Sequence, residues 1–100
     1  VGGIANSSTA VVVKTATASF RNYLTSLTIS TDTLGTATEF AVLDGSTVIY
    51  RLKLGTASLP VQNILFPVPL RGSVNTSMSI QTVTASTGGV YCSVSGYVAP

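Results

Sequence analysis

Glu39-Phe40-Ala41-Val42-Leu43-Asp44-Gly45-Ser46-Thr47-Val48-Ile49-Tyr50-Arg51-Leu52-Lys53-Leu54 is the stretch on which the fold turns. Two apolar runs flank Asp44-Gly45, a pair that accepts the left-handed backbone angles of a tight reversal, so the spacing predicts a β-hairpin. The second arm alternates. Val48, Tyr50, Leu52 and Leu54 share one face, and Thr47, Ile49, Arg51 and Lys53 share the other. A period of two is what a strand with one buried face requires.

The same pattern extends in both directions from the hairpin. Ala10 to Lys14 predicts a short strand, and Tyr23 to Ser30 a second, with Tyr23, Thr25, Leu27 and Ile29 on one face. Thr31 to Thr36 is turn-forming, because Asp and Thr bond their own backbone. Leu59-Pro60 predicts a break, with extended structure resuming from Asn63 to Phe66. Phe66-Pro67-Val68-Pro69-Leu70 lacks two ladder donors, so it suits an edge or crossing segment ending at Arg71-Gly72. Met78 to Val83 is a further strand, and Thr87-Gly88-Gly89 turns into a last one from Val90 to Val98. There Val90, Cys92, Val94 and Val98 form an apolar face, while Tyr91, Ser93, Ser95 and Tyr97 line the other.

Short strands with turn signals about every 8–12 residues, and no βαβ rhythm, predict an all-β chain. The expected architecture is an antiparallel β-sandwich of jelly-roll type with seven or eight strands, an immunoglobulin-like sandwich being the alternative. Residues 1–9 are rich in Gly, Asn, Ser and Thr and read as a flexible N-terminal arm before a single domain over 10–100.

Composition narrows the function by exclusion. Only 8% of the 100 residues are charged and the net charge is +2, against roughly 25% charged in a typical soluble domain. So neutral a chain lacks the phosphate-neutralising field of a nucleic-acid binder. It has no His and one Cys, which removes the commonest general base, the usual zinc ligand sets and an internal disulfide. Cys92, between Val90 and Val94, is expected to be a small buried hydrophobe. Neither Ser-x-x-Lys, Gly-x-Ser-x-Gly, nor a phosphate-binding glycine spacing occurs, so no catalytic, cofactor or metal site is expected and the chain reads as non-enzymatic. Gly72 to Pro100 carries no charge, but Ser, Thr, Asn and Gln interrupt it too often for a membrane helix. Val1 to Asn6 lacks the basic and apolar regions of a secretion leader.

Two surfaces stand out as candidates. Arg51 and Lys53 share a strand face, and with Arg21, Arg71 and Lys14 they would form a basic contact patch for phosphate or an acidic partner surface; the competing reading is that they protect an edge strand. Tyr91, Ser93, Ser95 and Tyr97 form a candidate subunit or ligand contact face, since a Tyr/Ser surface gives rigid amphipathic area at low entropic cost. Asp32 and Asp44 lie in turns, where carboxylates cap backbone amides.

Arg21-Asn22-Tyr23 opens a strand, Asp44-Gly45 precedes an aromatic-basic strand, and Phe66-Pro67-Val68-Pro69-Leu70-Arg71-Gly72 and Gly89-Val90-Tyr91…Gly96-Tyr97 follow. As a set, over roughly residues 10 to 98, these resemble small β-domains in structural proteins of tailed bacteriophages. Such domains include head decoration (cement) proteins and domains appended to fibre or baseplate proteins. The resemblance implies a non-enzymatic virion protein without catalytic residues or cofactors, often a homotrimer. The leading expectation is a decoration protein on the capsid surface, stabilising the head by binding across neighbouring subunits of the major capsid protein. The alternative is a carbohydrate- or host-receptor-binding domain in the tail, reading glycans with Tyr91, Tyr97 and Tyr50. Neither involves nucleic acid or a membrane. Surface arithmetic agrees with an assembly role: a 10.2 kDa monomer exposes about 5,300 Å², far more than eight charged side chains cover.

Overall fold

The computed structural model describes residues 10–82 and 88–100, together with the backbone of Gly2 and Gly3. Its strands are β1 (Gly2–Gly3), β2 (Val11–Lys14), β3 (Arg21–Thr31), β4 (Thr38–Asp44), β5 (Thr47–Leu54), β6 (Leu59–Arg71), β7 (Met78–Thr82) and β8 (Val90–Ala99), with no helix among the described residues. The expected arm over 1–9 otherwise lies outside the described residues; its Gly2 and Gly3 pair with Ser93 and Cys92 of β8.

The hairpin forms where the sequence places it. Asp44 pairs with Thr47, so the two central turn residues are Gly45 and Ser46 rather than Asp44 and Gly45. Gly45 takes φ 61° at the first central position, where a two-residue hairpin turn of the primed kind calls for glycine. Asp44 is thereby released for another role: its carboxylate accepts hydrogen bonds from Ser73 N (3.0 Å) and Ser73 Oγ (2.6 Å).

Around this turn the chain is nested. β4 pairs with β5, β3 with β6, β2 with β7 and β1 with β8, all antiparallel. Folding this long double arm over itself gives two four-stranded sheets, β1-β8-β3-β6 and β2-β7-β4-β5. That is the jelly-roll arrangement of a β-sandwich. The immunoglobulin-like alternative is thereby overturned: there the first two strands neighbour each other in one sheet, whereas here β1 and β2 belong to opposite sheets.

The core lies between the layers. Leu24, Leu27 and Ile29 of β3, with Val90 and Cys92 of β8, meet Phe40, Val42, Leu54, Met78 and Ile80 of the facing sheet. Leu34, in the β3–β4 loop, closes one end and is buried, its N–H donating to Thr56 O at 2.8 Å. At the open long side, Tyr50 of β5 and Phe66 of β6 meet edge to face, centroids 5.1 Å apart, and join the two edge strands.

Bulges account for the face assignments that differ from expectation. Leu24 pairs with Gly96 but Ser26 with Ser95, so Thr25 is an extra residue in β3. The core-facing set is consequently Leu24, Leu27 and Ile29, and Tyr23 is turned to the outer face rather than sharing one with Leu27. Ile49 is likewise the extra residue opposite Val42 and Leu43, and it packs against the core instead of joining Arg51 and Lys53. Pro60 does not break the chain; it sits inside β6, an edge strand, where a missing ladder donor is tolerated. Opposite the β3 bulge the same strand makes an excursion, Leu70 pairing with Leu24 and Leu65 with Ser26. Pro67 and Pro69 lie within it.

Candidate functional site

The outer face of the β1-β8-β3-β6 sheet is the part of the molecule with most to offer a partner. Cross-strand register sets out its rows: Arg71, Tyr23 and Tyr97; Leu65, Ser26 and Ser95; Asn63, Thr28 and Ser93; then Ser30 and Tyr91. Tyr91, Ser93, Ser95 and Tyr97 are all exposed here, while Val90 and Cys92 are buried beneath. The four residues expected to make contact therefore lie on one exposed surface. Beside it β6 exposes Val61 and Leu65, each at 68%, and Val68 at 81%. Thr25 and Thr28 turn their hydroxyls onto Ser95 O (3.0 Å) and Ser93 O (3.5 Å), so part of this face's hydrogen-bonding capacity is already spent on β8.

The four tyrosines have separate situations. Tyr23 and Tyr97 stack, centroids 4.9 Å apart and planes 12° apart. Tyr91 lies back over Gly89 and donates to Asp32 Oδ2 at 3.0 Å. Asp32 also accepts from Gly89 N. The hydrogen bond and the negative charge of Asp32 raise the Tyr91 pKa above its ordinary 10.0. Tyr50, expected to join Tyr91 and Tyr97 in glycan contact, is instead half-buried against Phe66 between the two sheets. Tyr23 takes its place on the face. Only the position of the bulge reveals this, and nothing in the period-two pattern marks it.

The basic patch divides in two. Arg51 and Lys53 project from β5 in the second sheet, Arg51 Nη1 forming a 2.9 Å salt bridge with Glu39 Oε1. Arg21 and Arg71 lie at one corner of the outer face around Tyr23, with Arg21 Nη1 donating to Gly72 O at 3.0 Å. Lys14 ends β2. The five cations do not converge on one site.

Beside this corner, β8 and β2 enclose a cleft of about 440 Å³ between the layers. Val13, Leu24, Met78, Val94 and Val98 supply its apolar wall, and Lys14, Ser95 and Tyr97 also line it. Asn22, 3% exposed, is a further lining residue. Its Nδ2 faces the carbonyl oxygens of Lys14 (3.4 Å), Thr15 (3.3 Å) and Thr76 (3.2 Å), and its Oδ1 has no hydrogen-bond partner. Sequence reading singled out Asn22 only as part of Arg21-Asn22-Tyr23. A polar residue at an inward position of a strand is the signal that would have marked it.

The remaining reactive groups have structural settings. All three carboxylates are engaged: Asp32 with Gly89 and Tyr91, Asp44 with Ser73, and Glu39 with Arg51. Cys92 is a free, buried thiol, its pKa pushed up to about 11 by burial. Among the described residues no group of three or more His, Cys, Asp or Glu side chains is placed to hold a metal ion. No family model, curated protein or solved structure matches this chain.

Proposed function

We propose that this chain is a non-enzymatic structural module of a virion, a capsid decoration protein that docks through the outer face of the β1-β8-β3-β6 sheet. The observation that carries the reading is the chemistry of that face. Val61, Leu65, Tyr91 and Tyr97 are at least half exposed on or beside it; the charged residues of its strands are Arg21 and Arg71 at one corner, and at the other end the Asp32 carboxylate is engaged by Tyr91. A solvated sheet face normally carries polar and charged side chains opposite the core, and exposed apolar groups gathered in one area are characteristic of contact surfaces. A standard interface takes about 800 Å² per partner, a modest share of the 5206 Å² accessible here. The jelly roll also serves widely in capsid and lectin domains, although fold by itself does not select among functions.

The test is co-sedimentation with tailed-phage heads that lack the protein. Wild-type chain is expected in the pellet, and Leu65→Asp, folded by circular dichroism, in the supernatant. Wild-type protein left in the supernatant overturns the reading. The tail-located, glycan-binding alternative is favoured by the stacked Tyr23–Tyr97 platform but loses Tyr50. Binding to a glycan array, abolished by Tyr97→Ala, would select it.

A further inference from the structure

At the end of the outer face away from Arg21 and Arg71, the Tyr91 ring lies back along β8 over Gly89. Glycine makes this possible, because a Cβ at position 89 would overlap the ring. The phenol is anchored at its tip: it donates to Asp32 Oδ2 at 3.0 Å, and Gly89 N donates to the same oxygen at 3.2 Å. With one side against Gly89, Tyr91 is still 51% exposed. Beside it is a hollow of about 420 Å³ whose lining includes Thr28, Ser30, Val61, Tyr91 and Ser93. Small-molecule sites occupy roughly 300–1,000 Å³. Register explains the hollow. Ser30 pairs with Tyr91 and Thr28 with Ser93, so three short side chains form its floor. Tyr91 of β8 and Val61 of β6 stand on strands to either side of β3, two spacings or about 10 Å apart.

We propose that this hollow binds one ring of a neutral saccharide, its C–H face on Tyr91 and its hydroxyls on Ser30, Ser93 and Asp32. The lining matches that chemistry on both counts. The fixed aromatic face and the methyls of Val61 suit C–H groups. Among the described residues the Ser30 and Ser93 hydroxyls have no hydrogen-bond partner. Asp32 Oδ1 also accepts no hydrogen bond there, both donors meeting Oδ2. These oxygens can meet the hydroxyls around the rim of a sugar ring. An apolar side chain in the same place would bury them unpaired, at a desolvation cost. An anion is disfavoured, because the charged group at this end is the Asp32 carboxylate, while Arg21 and Arg71 are at the opposite end. Since Tyr91 is already held by Asp32 and Gly89, little side-chain freedom is lost on binding.

This site goes beyond the docking reading and does not rest on it. It is also separate from the stacked Tyr23–Tyr97 pair, at the other end of the same face. Backbone amide shifts of the chain are to be followed by NMR with maltotriose, lactose, chitotriose and mannotriose, each at about 10 mM, ten times the Kd of a millimolar site. At least one of them is expected to move the amides of Ser30, Tyr91 and Ser93, and to do so equally in Tyr97→Ala. Tyr91→Ala, which removes the ring, is expected to weaken binding about tenfold. Ser93→Phe, which fills the hollow and leaves Tyr91 and Asp32 in place, is expected to abolish it. The spectra of the variants report their folding. No shift with any of the four sugars overturns the proposal, as do shifts confined to the Tyr23–Tyr97 end or binding that survives Ser93→Phe. Shifts of the same amides by a proline- or tryptophan-containing peptide and by none of the sugars overturn it in favour of a protein contact. Co-sedimentation of the wild-type chain with heads is read separately, so docking and sugar binding can each fail alone.

Discussion

Cys92 shows how far one buried group can report on the whole fold. Burial raises its thiol pKa from 9.0 to about 11, so the folded chain holds this proton where the unfolded chain has released it. The associated stability is fully present below pH 9 and is lost as pH rises through 9 to 11. The Tyr91 pKa is raised too and acts in the same direction. The urea midpoint is therefore expected to fall as pH rises from 9 to 11, and Cys92→Ala is expected to flatten that fall without removing it, since Tyr91 still contributes. Native Cys92 should resist a disulfide reagent at pH 8 and react once the chain is unfolded. Thiol reactivity in the native protein would contradict the packing described here.

At the scale of elements, Asn22 ties the two layers together. It belongs to β3 in one sheet, and its Nδ2 faces carbonyls at the end of β2 and just before β7 in the other. Asn22→Ala leaves those carbonyls without this donor and is expected to destabilise the fold by about 1–3 kcal/mol. Asn22→Asp should cost more at neutral pH, since it sets a carboxylate against three carbonyl oxygens. Part of that extra loss should return on acidification, when the carboxyl regains a proton. Denaturant melts at pH 7 and pH 4 check both statements.

The same elements show what was legible in the sequence. The hairpin, the alternation of β8 and the edge position of the proline-containing strand could be read, because each follows from local periodicity or from a missing ladder donor. The bulge at Thr25 could not, since it depends on which residues of β8 it opposes, and that close approach is made where Gly96 faces Tyr23 O. One extra residue was enough to turn Tyr23 outward. Tyr50 went to the interior for a related reason: periodicity says which residues share a face, but not which sheet the strand joins or whether that face is the inner one. That Tyr91, Ser93, Ser95 and Tyr97 share one exposed face was readable because all four lie on one strand. The basic patch was not, because its members lie on four strands of two sheets.

For the whole molecule, the nested pairing around Gly45-Ser46 has a consequence in time. Gly2 and Ser93 are far apart in sequence, and bringing such distant segments together directly would carry a large loop-closure cost. Once β4 and β5 have zipped, β3 and β6 are joined to their ends by short connections, and each later ladder closes a short gap left by the one inside it. This nesting predicts assembly from the tip outward, with the hairpin formed in the folding transition state and the β1–β8 ladder added after it. A strained residue at the tip, as in Gly45→Val, is then expected to slow refolding, whereas weakening the β1–β8 ladder should chiefly speed unfolding. Stopped-flow chevrons check this: for Gly45→Val the loss is expected in the refolding arm, and an unchanged refolding arm overturns the order. On this order the last ladder to close is also the first to open, so loss of the β1–β8 pairing is the expected opening step of unfolding.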